Sequence, residues 1–151
     1  LIFLALFLHC LGVVERYYDD KFWWDNLTHF LSSMIVSAIA LIAISLVDWY
    51  VEELLIPVRV MPFIITAVGC SFGVLWEVSE WSFDIVLGTG MQYSLDDTMQ
   101  DLLMDLLGSS AMGTVGWLFL HQRSPGELAQ GLGVESYFVL LEEWWDARNT
   151  D

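Results

Sequence analysis

The residues able to do chemistry in this chain are acids set at helical spacing. Asp97, Asp101 and Asp105 recur at i, i+4 and i+8 and lead into an apolar run that ends near Leu120. On a helix that spacing puts the three carboxylates along one stripe. Glu77, Glu80 and Asp84 stand at i, i+3 and i+7 late in the preceding apolar run, and Asp25 and His29 form an i, i+4 pair where the run before that begins. No Lys or Arg lies inside these three runs. Carboxylates gathered in a low-dielectric bundle without cationic partners cannot all stay ionised: they share protons, or they bind a cation. His29 adds one nitrogen ligand or proton acceptor. An oxygen-rich set with one imidazole suits Mg, Mn or an iron–carboxylate centre better than structural Zn, which favours Cys and His.

The elements that must position these groups follow from the apolar runs. Several reach or approach the roughly 20 residues needed to cross a bilayer as a helix. They predict an all-α, polytopic transmembrane bundle with about four spans, over Leu1–Tyr18, Leu27–Val47, Pro62–Leu87 and Asp97–Leu120. Pro62 suits a first helical turn, and Gly88-Thr-Gly90 ends the third span. Ser124-Pro-Gly closes the membrane domain at about residue 123. The stretch after it is too acidic, and too broken by Gly131 and Gly133, to span. It reads as an acidic interfacial or exposed tail, with Tyr137–Trp145 lying at the interface. Residue 1 is Leu with the first apolar run already under way, so the first span is expected to be truncated. Without a basic leader or a small-residue cleavage site, that run reads as a span rather than a signal peptide.

Alternating spans place the start of the second, the end of the third and the start of the fourth on one side of the membrane. Those three places carry the acids. With a rise of about 1.5 Å per residue, Glu77 lies roughly 15 Å before the end of its helix and Asp105 roughly 12 Å beyond Asp97. His29, Glu77, Glu80, Asp101 and Asp105 are therefore the expected metal ligands, with Asp25 or Asp97 left outside them as a general base. Asp84 and Asp97 lie near the surface, where solvent also satisfies them. His9, in mid-span, reads first as a packing residue, with a hydrogen bond across the bundle as the alternative. Trp23, Trp24, Trp76 and Trp81 read as interfacial anchors flanking the site. Ser33, Ser37, Gly69, Gly73, Gly113 and Gly116 allow close helix approach. Asp48, Glu52, Glu53 and Glu127 fall in connections and read as solvated.

Composition agrees with a single membrane domain: 151 residues, 56% hydrophobic, mean hydropathy +0.58. Twenty acids against five Lys and Arg give a net charge of −15, which argues against nucleic-acid and anionic membrane-surface partners. A solvated acidic surface of a salt-adapted organism accounts for acids in the connections but not for those inside apolar runs. Cys10 and Cys70 have no pairing spacing and read as inert core residues. Arg16 and Lys21 lie on one side, Arg59, Arg123 and Arg148 on the other, so the positive-inside rule leans to a cytoplasmic C-terminus.

Asp25-Asn-Leu-Thr-His29-Phe30, Glu77-Val-Ser-Glu80 and Asp101-Leu-Leu-Met-Asp105-Leu-Leu-Gly108, in that order, resemble the VanZ-like and YjdF-like small integral membrane proteins. The resemblance covers about Asp25–Gly116. It implies a compact helical membrane domain and, for VanZ-like members, a link to glycopeptide resistance and cell-envelope chemistry. Asn26 stands where Lys is frequent, Asp105 where Asn is frequent, and no Arg precedes the stripe. These departures make the pocket more acidic and bring the chain nearer the YjdF-like branch.

Three functions are compatible with these residues. A metal-dependent intramembrane enzyme would use the bound cation to polarise a phosphoryl or ester oxygen of a lipid or lipid-linked substrate, or to generate a hydroxide nucleophile. A cation- or proton-coupled carrier would use the same acids as a transport site, with a homo-oligomer supplying the helices that four spans lack. A non-catalytic module would carry them only as salt adaptation. Membrane lipids are partners in each case.

Overall fold

The computed structural model describes residues 2–51 and 56–149. The protein is all-α: α1 (Ile2–Val14), α2 (Tyr17–Asp20), α3 (Phe22–Tyr50), α4 (Met61–Leu87), α5 (Leu95–Gln122), α6 (Pro125–Leu132) and α7 (Glu135–Asn149). Three helices, α3, α4 and α5, are long and apolar enough to cross a membrane, and α1 is a shorter apolar helix. The three long helices pack on one another, α6 and α1 lean on α3, and α2 links α1 to it.

The first helix departs from expectation. It ends at Val14 rather than Tyr18, and Arg16 then turns the chain in the left-handed region (φ 57°, ψ 32°) before the short α2. The turn folds Tyr18 and Trp24 back onto Gly12, so closely that a Cβ there would collide with both side chains. Thirteen residues rise about 20 Å, short of the roughly 30 Å of a bilayer core.

The long helices begin and end where capping chemistry allows. Pro62 lies in the first turn of α4, and Gly88 closes that helix in the left-handed region (φ 66°). Ser94 caps α5, its Oγ accepting from the Asp97 amide at 3.1 Å, and Asp96 and Asp97 face the positive end of the helix dipole. α3 starts five residues before the expected Leu27 and runs on through Asp48. Asp48 is not merely solvated: its Oδ1 accepts from the Ile56 amide at 2.9 Å and ties the returning chain to the helix end. Glu52 and Glu53 lie outside the described residues.

Beyond Arg123 the chain remains helical. Ser124 and Glu127 form a reciprocal capping box that starts α6, so Glu127, exposed as expected, is also a capping residue. Gly131 lies within α6, and the break comes at Gly133 (φ 67°). Phe138 of α7 stacks on Tyr50 and meets Trp49 edge-on, which fixes the start of α7 at the end of α3.

Burial is inverted relative to a water-soluble bundle. Phe63, Phe72, Leu75, Val86, Leu103, Leu107, Val115 and Leu118 face outward, while Thr28, His29, Ser33, Ser37, Ser45, Glu77, Asp101, Asp105 and Ser109 are buried. That arrangement is stable where the surroundings are hydrocarbon and the interior carries the polar groups. Outward hydroxyls are satisfied within their own helices: Ser71, Ser79 and Ser82 donate to the carbonyls of Ala67, Leu75 and Val78 at 2.6–2.7 Å. A small apolar core of Leu41, Met61, Ile65 and Leu120 fills the half of the bundle away from the acids.

Candidate metal centre

Three glycines let the site form. Gly108 of α5 lies against the Phe30 carbonyl and Ser33 of α3, and Gly73 of α4 lies directly under the Asp105 carboxylate. Gly69, one turn further in, sits between the Ser37 and Ser109 hydroxyls. A side chain at any of these positions would hold the helices apart. The close approach carries the polar stripes of α3, α4 and α5 to a common axis.

His29 is the hub. Its Nδ1 is 3.3 Å from Asp105 Oδ2. Its Nε2 is 3.6 Å from Asp25 Oδ1, 3.9 Å from Glu77 Oε1 and 4.0 Å from Asp101 Oδ1. Asp101 and Asp105 are each 3% exposed, Glu77 5% and His29 8%. The three Nε2 separations are too long for direct hydrogen bonds. Both Glu77 carboxylate oxygens and Asp101 Oδ1 are buried with no hydrogen-bond partner. Unsatisfied buried carboxylate oxygens are costly, and several facing one gap are relieved by shared protons or by a cation in it.

The dimensions suit an ion. One ligand atom each from Asp25, His29 and Asp101 can be chosen so that all lie within 4.8 Å of one another. Around an ion bound at about 2.0–2.1 Å in octahedral geometry, adjacent ligands stand about 3 Å apart and opposite ones about 4.1 Å. The three Nε2–oxygen separations lie between those two values, so the carboxylates would have to close in on a bound ion.

Not every expected ligand belongs to this group. His29, Glu77, Asp101 and Asp105 converge. Asp25, expected outside the ligands, lies among them. Glu80 does not reach the ring: it sits at a cavity rim, its Oε1 accepting from Trp76 Nε1 at 2.8 Å. Asp97, half-buried, remains one turn outward of Asp101. Asp84 is a loop clasp, accepting from the Thr89 hydroxyl at 2.5 Å and from the Met91 and Gln92 amides at 2.7 and 2.9 Å. An Asp84→Ala variant should therefore become sensitive to proteolysis between Gly88 and Ser94 while its metal content stays at the wild-type level. Metal loss with an intact loop would reverse that assignment.

A cavity of about 270 Å³ lies beside the cluster, bounded by α1, α3 and α4 and reaching Asp25, His29 and Asp105. Its wall includes Tyr18, which the sequence does not single out. His9 Nδ1 is 3.0 Å from the Tyr18 hydroxyl, and that hydroxyl faces Thr28 Oγ1 at 3.5 Å. Burial raises Tyr18 above the ordinary tyrosine range, which keeps the hydroxyl protonated. Trp24, expected as an interfacial anchor, is buried against Tyr17 and Trp23, whereas Trp23, Trp76 and Trp81 are exposed. Cys10 and Cys70 are both free.

Fold and site together define a multi-pass helical membrane protein with a buried carboxylate–histidine cluster able to hold a metal ion. The cluster lies wholly within residues 25–105 of the helical bundle. The chain belongs to the family described as predicted membrane protein (DUF2238), whose match covers residues 1–122. It is 33% identical over 114 residues to an uncharacterized protein of Thermotoga maritima. That alignment covers 74% of this chain and 57% of the relative, so the chain spans little more than half of that protein's length. No solved structure matches.

Proposed function

We propose that the cluster is the divalent-metal centre of an intramembrane enzyme acting on a lipid or lipid-linked substrate. Asp25, Glu77 and Asp101 supply carboxylate ligands, and His29 binds through Nε2. Asp105 accepts from the opposite ring nitrogen and orients the imidazole, the usual role of a carboxylate behind a metal-bound histidine. Mg, Mn or Fe suits this oxygen-rich set. Bound there, the ion supplies Lewis acidity at a phosphoryl or ester oxygen and a site for an activated water. Asp97 lies outside the ligands, one turn from Asp101, and serves as general base.

The observation that carries this reading is the set of buried, unpartnered oxygens of Glu77 and Asp101 facing His29 Nε2. The apolar plug of Leu41, Met61, Ile65 and Leu120 beyond the site favours a one-sided pocket over a through-path for transport. Within this reading a cell-envelope substrate is supported only by the resemblance to VanZ-like proteins. The distribution of Arg and Lys favours a cytoplasmic C-terminus in this reading.

Metal analysis of detergent-purified protein tests the centre. Wild-type protein dialysed against Mg, Mn or Fe should retain near-stoichiometric metal, and Asp101→Asn and Glu77→Gln should lose most of it. Near-zero metal in all three would sink the proposal.

A further inference from the structure

The cavity between α1, α3 and α4 has two ends of opposite character. Ala5, Leu6, Val36 and Phe72 make one apolar, while Glu80, Asp25 and Tyr18 make the other polar. Leu6, Phe72 and Trp76 at its edge are also part of the outward apolar surface. α1 rests on α3, and it meets α4 through His9 set edge-on to Trp76. The mouth therefore opens sideways into hydrocarbon. At about 270 Å³ it falls just below the range of small-molecule sites, roughly 300–1,000 Å³, which suits one chain rather than two.

The polar end carries no Lys or Arg. Arg16 is paired with Asp19 at 3.1 Å, and the Lys21 ammonium lies over the Tyr17 ring at 5.0 Å. An anionic headgroup would meet Glu80 and Asp25, while the two basic side chains in the lining, His9 and His29, are already engaged with the Tyr18 hydroxyl and with the carboxylate cluster. A primary ammonium would meet carboxylate acceptors and the Tyr18 oxygen, matching its three donors.

We propose that this cavity binds a single-chain amphiphile with a protonated amine headgroup, its chain against Phe72 and Val36 and its ammonium at Glu80. The inference rests on the reading of the bundle as acting on a lipid substrate, and it narrows that substrate to the amine class.

Dodecylamine, dodecanol and dodecyl phosphate, titrated into the protein in nanodiscs at pH 7 with and without Mn, test it. The amine should bind at least tenfold tighter than the alcohol. Glu80→Gln should remove that advantage without changing alcohol binding. Ala5→Trp, which fills the cavity from α1, should abolish binding of both. Dodecyl phosphate binding as well as the amine, with or without Mn, would overturn the inference. So would binding indifferent to both variants, the mark of simple partition into the bilayer. Metal content measured on the same samples separates the two claims. Lost amine selectivity with metal retained fails this inference alone, and lost metal with amine selectivity retained fails only the metal centre.

Discussion

A His29→Leu variant should unfold in detergent at markedly lower temperature, with a loss of about 3–5 kcal/mol, because the partner of three buried carboxylates and the half-buried Asp25 is gone. Asp25, Glu77, Asp101 and Asp105 all approach the ring within 4.0 Å. Removing the ring leaves each facing like charge. Asp105→Leu should cost a similar amount, since it strips Nδ1 of its acceptor. The double variant His29→Leu/Asp105→Leu should lose less than the two singles together, with an interaction of about 1–3 kcal/mol, because each partner's loss already disables the other. Added Mn should raise the unfolding temperature of wild-type protein by mass action and leave His29→Leu unmoved. Additive losses, or equal Mn responses, would show that the ring is packed among the acids without being bound to them.

The second large effect is steric. Gly108→Ala places a methyl against the Phe30 carbonyl and Ser33, and a backbone oxygen cannot rotate away. The helices must separate, at a cost of about 1–3 kcal/mol. The separation divides the site, because α3 carries Asp25 and His29 while α5 carries Asp101 and Asp105. Metal content should therefore fall with stability although no ligand has been touched. Gly131→Ala is the matched control: its added Cβ meets nothing within 4 Å, and in a helix it should gain about 0.8–1 kcal/mol with no change in metal. Equal behaviour of the two variants would argue that the α3–α5 contact is loose.

The convergence on His29 is legible in the sequence because it depends on helical period and alternating direction alone. Residues four apart differ by only about 40° around a helix, so Asp101 and Asp105 share a face, and so do Asp25 and His29. Counting residues from the helix ends also gives the depth of Glu77. Glu80 shows the limit. Three residues from Glu77 is a rotation of about 60° the other way, enough to turn it towards the cavity beside α1, where Trp76 holds it. Its direction follows from that rotation and from a partner one turn back on the same helix, neither of which the shared acidic character of the pair reveals. The turn at Arg16 was illegible for a related reason. Nothing marks an arginine for a left-handed backbone, and the turn exists because Tyr18 and Trp24 close on Gly12. Asp84 was legible as an acid near a helix end, but its partners Thr89, Met91 and Gln92 depend on how the loop folds back.

The burial of Asp101 and Asp105 also bears on how the protein is made. An aspartate at the centre of an inserting helix costs about 2.5–3.5 kcal/mol on translocon scales, and α5 is the least apolar of the three long helices. It emerges from the ribosome after α3 and α4, which carry His29 and the glycines at Gly69 and Gly73. Membrane integration of α5 is therefore expected to be a cooperative step, with the earlier helices as its template. On that expectation, the acids of the cluster tie the completion of the bundle to the cluster being built.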